Sequence, residues 1–181
     1  MAPPGRTAPH ALAVIALSCA AALFVSGCRT GYAGAPPPTV PQVFPANATV
    51  SHVVDGDTVD LRIGTRRVRA RLIGINTPET VDRRRPVECF GPQAKNTTQL
   101  LLPPGTAVRV ERDVEPRDDY GRLLVYVYRA ADGLFVNHEL MRRGLAVPLR
   151  IPPNTAHATD FAAAARRAER EGLGLWSACP R

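Results

Sequence analysis

Between residues 48 and 75 the chain alternates apolar and polar residues and is punctuated by glycine, which limits this region to short, turn-linked β-strands. Val53, Val59, Leu61 and Ile63 fall on one parity, the row that a strand turns toward a core. On a straight strand Asp55 and Asp57 share that row, and burying two unpaired carboxylates is costly. Gly56 between them therefore marks a turn or bulge, and both carboxylates need water, donors or a cation. A further strand is expected over residues 66–75, after a turn at Gly64-Thr65.

The remaining periodicity alternates between strand and helix. A short helix ends near Leu102, stopped by Pro103-Pro104. Residues 106–111 and 122–128 read as strands, the second rich in Leu, Val and Tyr. Residues 137–143 form a helix closed by Gly144, and a last helix covers 158–170. In that helix Phe161, Ala164, Ala165 and Ala168 face inward, and Arg166, Arg167 and Arg170 stay in water. Short strands with interleaved helices imply an α+β domain, a small β-barrel with helices packed on it, over residues 48–178, followed by a tail at 179–181.

The N-terminus has a different character. Arg6 precedes an apolar run over residues 11–25, and Ser26-Gly27-Cys28 follows. This order marks a secretory signal over 1–27, and the run is short for a bilayer span of roughly 20 residues. Its end resembles the bacterial lipobox, which implies lipidation of Cys28 and a chain held on the outer face of the cell membrane. Plain secretion and an uncleaved anchor are the alternatives. Residues 28–47, rich in Gly, Ala and Pro, read as an extended tether. With Cys19 in the signal and Cys28 at its end, Cys89 and Cys179 remain, an even pair in an exported chain that suggests a disulfide. Zinc is disfavoured, because there is no C-x-x-C and His138-Glu139 does not continue into H-E-x-x-H.

The formal charge of +7 favours an acidic partner. Lys95 is the only lysine among 23 basic residues; the others are arginines, which stay charged and grip phosphate with two donors. Candidate chemistry gathers in two stretches, Asp55-Gly-Asp-Thr58 and Arg71-Leu-Ile-Gly-Ile-Asn-Thr-Pro-Glu-Thr80. Oxygen donors from Asp57, Asn76 and Thr77 suit calcium or magnesium. Arg71 and Arg122 would stabilise charge building on a phosphate, and Glu79 would take a proton from attacking water. The set describes metal-assisted phosphodiester hydrolysis. No G-x-S-x-G and no phosphate-cradling glycine loop is present, and His52 and His157 read as surface or loop residues.

Taken with Gly91-Pro92, Tyr120-Gly-Arg122, Val136-Asn137, Gly144-Leu-Ala146 and Gly174-Leu-Trp176, these segments resemble the staphylococcal nuclease family in residues and in order. The resemblance implies a five-stranded OB-fold barrel with three helices. It implies calcium-dependent cleavage of DNA and RNA at the P–O5′ bond, leaving 3′-phosphates. It places Arg71 and Arg122 at the family's catalytic arginines, Glu79 at the general base, and Asp57, Asn76 and the Thr77 carbonyl at calcium ligands. Tyr120 falls at a nucleotide-pocket tyrosine. Three departures stand out: Asn76 replaces an aspartate, Asp119 a phosphate-contacting lysine, and the segment 147–153 lacks the tyrosines beside the base, leaving Arg150 as a substitute contact. No protein partner is expected, and the chain is read as a monomer. A catalytically silent nucleic-acid- or protein-binding domain on the same fold is the rival reading. A structural envelope lipoprotein explains the N-terminus but not the site residues.

Overall fold

The computed structural model describes residues 43–82, 84 and 86–179, all within the compact unit Thr39–Arg181. The signal over 1–27, Cys28 and most of the expected tether lie outside the described residues. Among the described residues no helix is long and apolar enough to cross a membrane.

Strands β1 (Ala48–Asp55), β2 (Thr58–Ile63) and β3 (Arg66–Leu72) form an antiparallel meander. The chain then makes a two-residue β4 (Ile75–Asn76), helix α1 (Gly91–Leu101), β5 (Ala107–Glu111) and β6 (Leu123–Arg129). Helix α2 (Val136–Arg142), β7 (Val147–Pro148), α3 (Ala158–Arg170) and the single turn α4 (Leu175–Ala178) complete it. Five strands close into a barrel in the order β1-β2-β3-β6-β5, with β3 and β6 parallel and β5 returning to β1. This is an OB-fold in the α+β class. Closure leaves no barrel edge free for pairing with another chain.

The alternating residues fill the barrel. Val50, Val53, Val59, Leu61, Ala70, Leu72, Val108, Val125 and Val127 are buried. Phe161 is fully buried on α3 and forms, with Ala164, Ala165 and Ala168, the inner face of that helix. The expected strand over 66–75 is broken after Leu72, because Gly74 turns the chain at φ 78 and faces the Phe161 ring. A Cβ there would lie 2.4 Å from Phe161 Cε2, so the close helix–strand contact requires glycine. Residues 43–47, read from sequence as the end of the tether, lie against the barrel. The Asn47 side chain exchanges two hydrogen bonds with the Val110 backbone at 2.9 and 2.8 Å, and Phe44 meets Tyr128 edge-on. His52 is exposed, and His157 lies in the turn before α3, half-buried against Tyr126 and Phe135.

Candidate active site

The β1–β2 turn, the end of β3, β4, the loop after it and the loop before β6 border one cleft of about 1050 Å³. Its lining brings together Asp57, Arg71, Asn76, Thr77, Glu79, Tyr120 and Arg122. Arg150 is exposed and does not line the cleft, although its neighbours Leu149 and Ile151 do.

The turn Asp55-Gly56-Asp57 is built to hold carboxylates inward. Gly56 lies so close to Thr77 that a Cβ would meet Thr77 Oγ1 at 2.6 Å. From the other side Thr98 on α1 donates its hydroxyl to the Gly56 carbonyl at 2.6 Å. Both carboxylates are buried, as their parity requires, and both find donors. Asp57 Oδ2 accepts the Thr77 backbone N–H at 2.8 Å and its hydroxyl at 2.9 Å, and pairs with Arg71 Nη2 at 3.1 Å. Among the described residues, Asp57 Oδ1 meets only the Thr58 hydroxyl, at 3.2 Å. Asp55 accepts the Thr80 hydroxyl at 2.6 Å, yet burial pushes its carboxyl above the usual range.

Arg71 is buried and fixed by carbonyls. Its Nη1 donates to Leu72 O and, at 2.9 Å, to Ile75 O, while Nη2 reaches Asn76 Oδ1 at 3.1 Å. Burial lowers its pKa, with the Asp57 charge opposing. One nitrogen therefore stands between the Asp57 carboxylate and the Asn76 amide oxygen, which shows those two oxygens converging on a point suited to positive charge.

Glu79 begins the next loop. Its Oε1 accepts the backbone N–H groups of Val81 at 2.7 Å and Asp82 at 3.2 Å. Burial raises its pKa, but these donors and the neighbouring Asp55 carboxyl together bring it below the ordinary value. Glu79 is therefore ionised at neutral pH. The loop is anchored at its far end, where Glu88 accepts the Glu79 N–H at 3.0 Å and the Glu88 N–H returns to Glu79 O at 3.0 Å. Next to it Cys89 is bonded to Cys179, with Cα atoms 5.8 Å apart. That bond closes a sequence separation of 90 residues, a span for which chain entropy gives about 4.6 kcal/mol of stabilisation.

The opposite wall is looser. Asp118 accepts the N–H groups of Tyr120 and Arg122 at 3.1 and 2.9 Å and the Arg122 Nε at 2.6 Å, an Asx-type turn that aims the guanidinium. Tyr120 is 85% exposed, so its ring is open to a ligand. The Arg122 guanidinium lies 5.4 Å from the centre of that ring.

Other positioning residues carry no chemical motif in the sequence. Asn137, fully buried, accepts the Val127 N–H at 3.0 Å and donates to Ile73 O at 3.0 Å, tying α2 to β6 and to the chain just after β3. Asn154 clamps the backbone of Glu115 from both sides, at 2.8 and 2.9 Å. Asp118 had a signal, the Asp-x-Tyr-Gly turn pattern. For Asn154 the partners are backbone groups remote in sequence, and no local pattern announces them; Asn137 stands in the Val136-Asn137 segment of the resemblance, which marks the residue but not its remote backbone partners.

Among the described residues no group of three or more His, Cys, Asp or Glu side chains converges as a metal site. The available donors are one carboxylate, one amide and a backbone carbonyl, all oxygens. That chemistry fits a hard divalent cation held by few protein ligands, with water completing its shell, and does not fit zinc.

The fold and this cleft define an OB-fold protein with an oxygen- and arginine-lined site for an anionic substrate. Residues 69–178 match the family model described as Staphylococcal nuclease homologue. The thermonuclease of Staphylococcus intermedius is 39% identical over 127 residues, which is 70% of this chain and 74% of that protein. The thermonuclease of Staphylococcus hyicus is 33% identical over 128 residues, 71% of this chain and 74% of that protein. Endonuclease YncB of Bacillus subtilis is 33% identical over 133 residues, 72% of this chain and 62% of that protein. The chain belongs to the staphylococcal nuclease family.

Proposed function

We propose that this protein is a calcium-dependent nuclease that hydrolyses DNA and RNA to 3′-phosphate products outside the cytoplasm. The observation that carries the reading is the convergence of Arg71 and Arg122 with Asp57, Asn76, Thr77 and Glu79 on one cleft. The names of the relatives, two thermonucleases and an endonuclease, support it.

Asp57, Asn76 and the Thr77 carbonyl would hold the cation, which when bound supplies positive charge to a phosphate oxygen and to water. Arg71, held rigidly by the Leu72 and Ile75 carbonyls, keeps its charge at the cleft floor without reorganising during the reaction. Arg122, aimed by Asp118, reaches the same phosphate from the other wall. Glu79, already ionised, would accept a proton of the attacking water as its oxygen bonds to phosphorus and the P–O5′ bond breaks, the 5′-oxygen leaving as a hydroxyl with a proton from solvent. Tyr120 offers an exposed ring for a base or sugar, and Arg150, outside the cleft, is reserved for contacts beyond the reacting nucleotide. The lipobox-like end at Cys28 supports export and anchoring on the outer face of the membrane, with the domain on a short tether. The protein acts as a monomer.

Incubation with single-stranded and duplex DNA and with RNA, in calcium or in chelator, tests the reading. Cleavage in calcium only, leaving 3′-phosphate ends, is expected. Binding without cleavage under every condition would instead identify a catalytically silent member of the fold.

A further inference from the structure

One face of β3 carries arginine at every second position, and the row starts inside the cleft. Arg71, Arg69 and Arg67 share a parity on Arg66–Leu72. Arg71 is buried beside Asp57, Arg69 lines the cleft with its side chain 53% exposed, and Arg67 is 64% exposed beyond it. Same-face residues of a strand stand about 7 Å apart, so the row leads roughly 14 Å outward from Arg71.

The partner strand adds to it. Opposite this row on β2 stand Thr58, Asp60 and Arg62. Asp60 is the one carboxylate among them; it accepts Arg69 Nε at 2.9 Å and pairs with Arg67 at 3.3 Å. One acid thus serves two arginines and leaves a net positive charge. Arg62 faces Arg67 directly in register. Like charges in that position destabilise a hairpin. Arg62 is exposed, and its side chain makes no ion pair or hydrogen bond among the described residues. Elsewhere arginines on the sheet surface meet acids one to one, as Arg109 does Glu111 and Arg129 does Asp132. A merely solvated face does not call for two arginines in direct opposition, or for a row whose parity runs into the cleft.

We propose that this row, Arg69, Arg67 and the facing Arg62, is a phosphate-tracking extension of the cleft that holds the backbone of a single-stranded nucleic acid beyond the reacting nucleotide. The proposal rests on the nuclease reading of the cleft. Guanidinium groups pair with phosphate through two donors, and a basic surface that follows one backbone is how single strands are held without regard to sequence. A single straight row serves one backbone rather than the two of a duplex.

The test compares the protein with an Arg62→Ala/Arg67→Ala variant and with an Arg166→Ala/Arg170→Ala control on the exposed face of α3. Arg69 is spared because it lines the cleft. Cleavage is measured on a trinucleotide, on a single strand of about 15 nucleotides and on a duplex of the same length, and binding of the longer strand is measured in chelator against salt. The expected result is a KM for the longer strand raised about fivefold to tenfold, with kcat and the trinucleotide KM unchanged. The log–log salt slope of binding falls by about 1.4, as two phosphate contacts of about 0.7 each are lost, and the control changes nothing. Unchanged KM and salt slope in the variant overturn the proposal while leaving the nuclease reading intact, as does an effect confined to duplex. If the protein cleaves nothing but binds the long strand with a salt slope that the variant reduces, the nuclease reading fails and the arginine row stands.

Discussion

The two arginines proposed to bind the reacting phosphate sit in opposite kinds of wall. Arg71 is buried, tied to two carbonyls, an amide and the Asp57 carboxylate, on a strand whose neighbours are core. Arg122 is half-exposed, tied to one carboxylate of its own loop and backed by an exposed tyrosine. The first wall is part of the barrel's stability; the second is a surface loop that a packed strand happens to follow. A site assembled from one wall of each kind has a rigid floor that fixes charge in place and an adjustable side that meets the substrate.

The largest expected effect breaks the first wall. Arg71→Ala removes a charge from the reaction and strands Asp57, so kcat falls about 1,000-fold and chemical denaturation shows a loss of about 3 kcal/mol. Arg122→Ala separates the two roles. Its kcat falls by about 100- to 1,000-fold, while stability shifts by less than about 1 kcal/mol because the ion pair with Asp118 is partly solvated. Equal stability losses in the two variants would erase the distinction between the walls.

Asn76→Asp acts on cation affinity within the rigid wall. A second carboxylate beside Asp57 lowers the calcium concentration for half-maximal cleavage by about tenfold, and an unchanged requirement would remove Asn76 from the ligand set. The smallest effect lies away from the cleft. Glu139 is buried between Arg142 and Arg143, whose hydrogen bonds hold its pKa down to about 2. Its contribution is full above pH 4.5, its ordinary value, and is lost as pH falls toward 2. Glu139→Gln therefore costs about 1 kcal/mol at neutral pH, discounted for the exposure of both arginines, and flattens the acid limb of the stability profile below pH 4.5.

The same contrast explains what could be read from the residues alone. The barrel was legible because its core positions alternate, as Val53, Val59 and Leu61 do, and the terminal helix because Phe161 and its alanines repeat at helical spacing. The carboxylates at 55 and 57 announced a need for partners but not which ones. Those partners are Arg71 on the neighbouring strand β3, and Thr77 and Thr80 in the loop after β4, which only tertiary packing brings back to them. The break at Gly74 was hidden because its cause, the ring of Phe161, lies on a helix far along the chain. The docking of residues 43–47 was hidden because it depends on one asparagine pairing with a strand backbone. Arg150 shows the limit of transferring a contact by position: its segment follows the cleft rim, but the side chain is not part of the lining.

Glu79 joins the two walls, since it is held by its own loop yet lies in the cleft, ionised and beside Asp55. The most direct measurement is the rate of single-stranded DNA cleavage by the wild type and by Glu79→Gln, each in saturating calcium and in chelator, with thermal unfolding alongside. Cleavage is expected only in calcium, with a rate in Glu79→Gln lower by about 100- to 1,000-fold and an unfolding temperature close to that of the wild type. Cleavage by Glu79→Gln at the wild-type rate, or by the wild type in chelator, would contradict the assignment of this cleft as a calcium-assisted phosphodiesterase site.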